Sequence, residues 1–185
     1  EFIITSLRFA TACGWSPRLR LDLVLNDFVA SAIVSKNIKI LSDGSPWRPL
    51  IDVGDMSRAI DWAMTRKSSN GGNYLCLNVG SMSWNYKILD LAHAVAKEIR
   101  DVEVEINQDA APDKRSYRVD FSLFEKLAPN HQPVMRLEDT VKEIYQNLIR
   151  NEFNITNFRS SNFMRLNVLN NLIENNYLDN NLNWK

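Results

Sequence analysis

The chain has 185 residues, 45% of them hydrophobic, enough for one ordinary core or one core with an appendage. Its 22 basic and 22 acidic residues are interspersed and cancel to a formal net charge of zero, which offers neither the basic stripe that nucleic acid needs nor a polybasic segment for a membrane surface. No apolar run approaches a membrane-spanning length and no signal-peptide order opens the chain; Cys13, Cys76, His93 and His131 make no zinc-type spacing, so a cytoplasmic protein with reduced core thiols and no metal is expected.

"FIITSLRFAT" is a β-branched apolar run that reads as a buried strand, and the Gly and Pro of "ACGWSPRLR" read as a loop. Apolar spacing suits a helix from about Leu23 to Val34. "IKIL" and "RPLIDV" then read as short strands on either side of an Asp43-Gly44 turn. Asp55 is placed to cap the next helix, whose stripe would be Met56, Ala59, Ile60, Ala63 and Met64. "YLCLNVG" reads as a strand closing at Gly80, followed by a helix striped by Ile88, Leu91, Ala92, Val95 and Ile99.

"VEVEIN" alternates as a strand does, "RSYRVD" is extended, and "FSLFEKLA" is a short helix. Leu137, Val141, Ile144, Tyr145 and Leu148 stripe a longer helix. Beyond Asn151 the chain is asparagine-rich, yet Phe163, Leu166, Leu169 and Ile173 keep helical spacing, and Leu178, Leu182 and Trp184 could anchor an end. The expected organisation is an α/β unit over residues 1–150 with a docked helical tail over 151–185.

The six glycines, at 14, 44, 54, 71, 72 and 80, fall into neither a dinucleotide fingerprint nor a P-loop, both of which need glycine so that backbone can approach phosphate. No tyrosine has a lysine four positions on, and no serine sits in a nucleophile-elbow pattern. The sequence thus contains no complete catalytic constellation. Its most pointed feature is Arg48, set between Trp47 and Pro49 just before an apolar run. That guanidinium could stack on Trp47, pair with Asp43 or Asp52, or grip a phosphate.

Four segments, in order, resemble those of the extended short-chain dehydrogenase/reductases, the NAD-dependent nucleotide-sugar epimerases and dehydratases. "LRFATACGWSP" is similar to their R-x-x-N-x-Y-G-P segment, and "DGSPWRPLIDVGD" to their G-x-x-x-R-x-x-x-Y-V-x-D segment, with Arg48 and Asp55 keeping the seven-residue separation. "LNVG" resembles the family's N-x-G strand end, and "DKRSYRVD" its arginine-containing segment before a short helix, here "FSLFEKLAP". The resemblance implies the C-terminal part of a Rossmann-like doubly wound fold with the small substrate-binding domain. The dinucleotide-binding half, with its glycine fingerprint and catalytic tyrosine and lysine, would lie upstream of Glu1.

On that resemblance, Arg48 and Arg115 would contact the diphosphate of a sugar nucleotide, a role suited to the planar fork of guanidinium. Lys114 and Arg118 would be solvated neighbours. Thr11 stands where the family has a substrate-touching asparagine, Cys13 where it has tyrosine, and Trp15 where it has proline. Asn26 falls in a segment bordering the nucleotide, and a helix-start asparagine explains it equally well. Phe9 matches a position beside the nicotinamide, although an aromatic in a strand is also ordinary core. Asp55 reads as a cap, and Asn78 as a tie between strand end and loop.

The implied function is the nucleotide-sugar-binding portion of an NAD- or NADP-dependent epimerase/dehydratase, homodimeric at full length, with this chain alone inactive and binding no cofactor. The alternative is a non-catalytic nucleotide-binding or interaction module on the same scaffold. Without upstream strands, the first strand would keep an uncovered edge.

Overall fold

The computed structural model describes residues 2–107, 109–110 and 115–185. Strand β1 (Ile4–Phe9) and helix-flanked strand β5 (Tyr74–Val79) pair in parallel, from Ile4 opposite Tyr74 to Phe9 opposite Val79. The run expected as one buried strand instead breaks at Ala10, and Thr11 joins Ala12 and Cys13 of the expected loop in β2 (Thr11–Cys13), which pairs in parallel with β4 (Trp47–Asp52). One apolar run therefore serves two sheets. None of the β1 residues is fully buried, Ile4 and its register partner Tyr74 are exposed, and no strand among the described residues covers the other edge of β1.

Helix α1 (Val24–Ser35) buries Leu25, Phe28, Val29, Ala30 and Ala32, and ends at Lys36 in the left-handed conformation. β3 (Asn37–Ile40) follows. It does not form a hairpin with β4 across the Asp43-Gly44 turn: β3 pairs in parallel with β7 (Glu103–Ile106), and β4 pairs antiparallel with β6 (Asn85–Lys87). The turn itself is built by Asp43, whose carboxylate accepts from the Ser45 N–H and hydroxyl, so local turn chemistry is satisfied without joining its flanking strands.

Helix α2 (Val53–Thr65) is capped by Asp52 and not by Asp55: the Asp52 Oδ1 accepts from the Gly54 N–H at 2.8 Å. Asp55 lies in the first turn, 2% exposed, and accepts from the backbone N–H groups of Val134 and Met135 at 2.9 and 3.1 Å. The buried face of α2 is consequently Asp55, Ala59 and Trp62, while Ile60 and Met64 of the expected stripe are exposed. Periodicity located the helix, but a tertiary hydrogen-bonding demand set which face turned inward.

Helices α3 (Ile88–Glu98) and α5 (Leu137–Arg150) bury the stripes read from sequence except for Ile88 and Tyr145, which are half-buried, and the short α4 (Ser122–Leu127) buries Phe124. Two apolar clusters result. The larger joins α1, α3, α5, β3 and the tail residues Phe153 and Phe158; the smaller joins Ile51, Trp62, Val79, Phe121 and Phe124. In the tail, α6 (Arg165–Glu174) has no fully buried residue and Leu166 is exposed. Leu178 is buried, whereas Leu182 and Trp184 are exposed.

Candidate anion-binding cleft

The start of α1, the end of β3 and the first residues of β2 and β4 line a cleft of about 870 Å³ on the side of the larger cluster. Thr11, Arg48 and Arg115, distant in sequence, all line it. Arg48 is aimed there by its place in β4, half-buried, with Nη1 donating to the carbonyl of Trp47 at 2.8 Å and to the carbonyl of Arg115. Its guanidinium carbon also lies 5.8 Å from the centre of the Tyr117 ring. The segment carrying Arg115 is laid along β4 by two further bonds: Tyr117 N–H to the Trp47 carbonyl at 3.3 Å, and Trp47 N–H to the Ser116 hydroxyl at 3.0 Å.

The bond from Arg48 to Trp47 is to its backbone carbonyl, and the indole ring is met by other cations. Arg118 stacks on it at 4.8 Å and Lys87 approaches at 5.6 Å. Arg118 is exposed, as a solvated neighbour would be, and rests over the Trp47 ring; Lys114 lies outside the described residues. Asn26 does not line the cleft. It is 2% exposed; its Oδ1 accepts from the Gly14 N–H at 3.1 Å and its Nδ2 donates to the Arg20 carbonyl at 2.9 Å, so both amide ends hold the loop between β2 and α1. Gly14 needs that tie: its φ is +106°, and a Cβ would stand 2.7 Å from Asp52 Oδ2. Phe9 is half-buried against the smaller cluster, away from the cleft lining. Asn78 ties strand end to loop as expected, donating to the Asp120 carbonyl at 3.2 Å while its Oδ1 accepts from Arg8.

Several cleft residues carry no local sequence signal. Asp22, Asp27, Lys39, Tyr117 and Arg159 reach it by tertiary placement, along with apolar Leu23, Phe28 and Ile40. The charged lining comprises four cations, Lys39, Arg48, Arg115 and Arg159, against two carboxylates, Asp22 and Asp27. The hydrogen bond from Arg20 holds the Asp22 carboxyl below the usual range despite partial burial. A surplus of guanidinium groups beside an apolar wall suits an anion attached to a flat or apolar group. Burial pushes the Cys13 thiol strongly upward, so it stays protonated and is no nucleophile. Among the described residues there is no cluster of three or more metal-ligating side chains, and no helix is long and apolar enough to cross a membrane.

Residues 1–80 match the family described as NAD dependent epimerase/dehydratase. The fold matches MoeE5 in complex with UDP-glucose and NAD at 18% identity and a TM-score of 0.65, covering 81% of this chain and 48% of that one. It also matches the UDP-glucuronic acid 4-epimerase of Bacillus cereus in complex with UDP-glucuronic acid and NAD (21% identity, TM-score 0.64, 78% and 45% covered). A third similar structure is the UDP-glucose 4-epimerase of Bifidobacterium longum with NAD+ and UDP (16%, 0.64, 81% and 48%). The chain spans about half the length of these proteins. The shared fold is the α/β architecture with parallel strands.

Proposed function

We propose that this chain is the nucleotide-sugar-binding portion of an NAD- or NADP-dependent epimerase/dehydratase, the C-terminal part of a doubly wound fold with residues 151–185 as a tail docked on residues 1–150. The observation that carries this reading is the convergence of Arg48 and Arg115, 67 positions apart, on one cleft with Thr11. Similar folds hold UDP or UDP-sugars. Arg48 and Arg115 would take the diphosphate, Thr11 would hydrogen-bond the sugar, and the apolar wall would face the base. Asn26 would act indirectly by fixing the loop before α1, and Phe9 would border the nicotinamide once the cofactor-binding half is present.

At the β4–α2 junction the residues do not fit a dinucleotide. Its pyrophosphate needs free backbone N–H groups at a strand–helix turn, whereas at the β4–α2 junction the Asp52 carboxylate already takes the Gly54 N–H and would repel a phosphate. Cofactor binding, hydride transfer and a cytoplasmic homodimer are properties we assign to a longer protein, and this chain by itself should be inactive.

The test is titration calorimetry of UDP and UDP-glucuronic acid into the parent protein, Arg48→Ala, Arg48→Lys and Arg115→Ala. Each arginine lost should weaken binding by about 2 to 5 kcal/mol, and Lys should rescue little because it lacks the fork. Unchanged affinity in both alanine variants refutes the assignment.

A further inference from the structure

A cleft that takes a diphosphate should not present bare carboxylates to it, yet Asp22 and Asp27 both line this one. Asp22 is neutralised from its own loop by Arg20 at 2.8 Å. Asp27, in the first turn of α1, is met by Arg159 from 132 positions away: Nε donates to Oδ2 at 2.8 Å and Nη2 to Oδ1 at 2.6 Å. Arg159 Nη2 also donates to the Ser31 hydroxyl at 2.9 Å, and its guanidinium lies 4.8 Å from the ring centre of Phe158. This bidentate pair lies at the surface but is positioned by a buried neighbour. Phe158 is buried, its ring centre lies 6.1 Å from that of Phe153, Phe153 meets Phe163 at 5.7 Å, and the Leu21 N–H donates to the Phe163 carbonyl at 3.1 Å.

We propose that Arg159 is a specificity-determining residue of the cleft: by cancelling the Asp27 charge it lets the cleft accept a diphosphate, and the 153–164 segment is the wall that delivers it. The chemistry of the ligand rests on the nucleotide-sugar reading above. Removing Arg159 would leave the ionised Asp27 carboxylate, its side chain 18% exposed, facing the anion, a repulsion between like charges that solvent and salt screen only in part. The C-terminal segment is then part of the ligand site, not an accessory to it.

Calorimetric titrations with UDP and with inorganic pyrophosphate test this in the parent, Arg159→Ala, Arg159→Lys, Asp27→Asn and the Arg159→Ala/Asp27→Asn pair. Arg159→Ala should raise Kd for both probes about ten-fold, and added salt should narrow the defect. Asp27→Asn alone should tighten both, since Arg159 then faces the cleft uncompensated. The double variant should return to within about three-fold of the parent, and Arg159→Lys, which keeps the charge, should stay equally close. A melting curve for each variant confirms that it is folded. No effect of Arg159→Ala, or a defect that Asp27→Asn fails to repair, overturns the proposal while leaving the nucleotide reading standing. If pyrophosphate follows the expected pattern but UDP binds no better than pyrophosphate, the charge-masking role stands and the nucleotide reading falls. If neither probe binds the parent, both fall.

Discussion

Arg66 closes α2 and is 6% exposed, and it provides a test of what holds the β1–β5 sheet in place. Its Nε donates to the Thr5 hydroxyl at 3.0 Å and its Nη1 to the carbonyls of Asn70 and Gly72 at 2.8 and 2.7 Å. Its Nη2 reaches the Ile4 carbonyl at 3.1 Å. One guanidinium thus ties the start of β1 to the turn that leads into β5. Hydrogen bonds to a charged donor contribute roughly 1.5 to 3 kcal/mol each, so the four naively sum to about 6 to 12. Replacing Arg66 by Met also removes the cost of burying a charge, and water can reach part of the exposed turn, so a loss of about 3 to 5 kcal/mol is expected. That is a large share of a typical domain's stability, about 5 to 15 kcal/mol, and at this chain length each kcal/mol lowers Tm by roughly 2 to 4 °C. Arg66→Lys, with three donors and no fork, should recover about half. Urea unfolding at low protein concentration, followed by tryptophan fluorescence, measures both variants. A loss under about 1 kcal/mol for Arg66→Met at unchanged m-value refutes the reasoning.

Gly80→Ala would place a Cβ 2.7 Å from the Phe121 ring, so overpacking should cost about 1 to 3 kcal/mol, and Phe121→Leu in the same chain should recover part of the lost melting temperature. Asp52 is buried, which raises its carboxyl above the ordinary 3.8 although Thr140 and the Gly54 N–H oppose the shift. A raised folded-state value means that its stabilising contribution is complete below the unfolded value and is lost as pH climbs through the folded one. The stability of Asp52→Asn relative to the parent should therefore grow as pH rises above the ordinary carboxylate value, as read by Tm at each pH; a gap that shrinks with rising pH contradicts the sign. The edge of β1 that no strand among the described residues covers, with Ile4 and Tyr74 exposed nearby, should drive self-association, and Ile4→Lys should lower light scattering at equal concentration. Equal scattering in both proteins would show that the edge is not the contact.

The sequence by itself determined the elements whose burial is one-sided and local. The stripes of α3 and α5 and the alternation of β7 each have a period that admits one structure, and the Asp43-Gly44 turn closes on its own side chains. Resemblance of short segments singled out Thr11, Arg48 and Arg115 as candidates, and the fold brings these three to the lining of one cleft. Pairing and partner choice were decided only by the tertiary structure. Ala10 divides one apolar run between two sheets, since a strand's hydrophobicity does not say which neighbour it will join. The sequence pointed to Asp55 as the cap, but Asp55 instead accepts from the N–H groups of Val134 and Met135, Asp52 caps α2, and Ile60 and Met64 face outward. Asp27 and Arg159 meet across 132 positions because the Phe153, Phe158 and Phe163 cluster brings the tail back against α1, a contact that depends on where the core closes and leaves no mark in any local window of sequence.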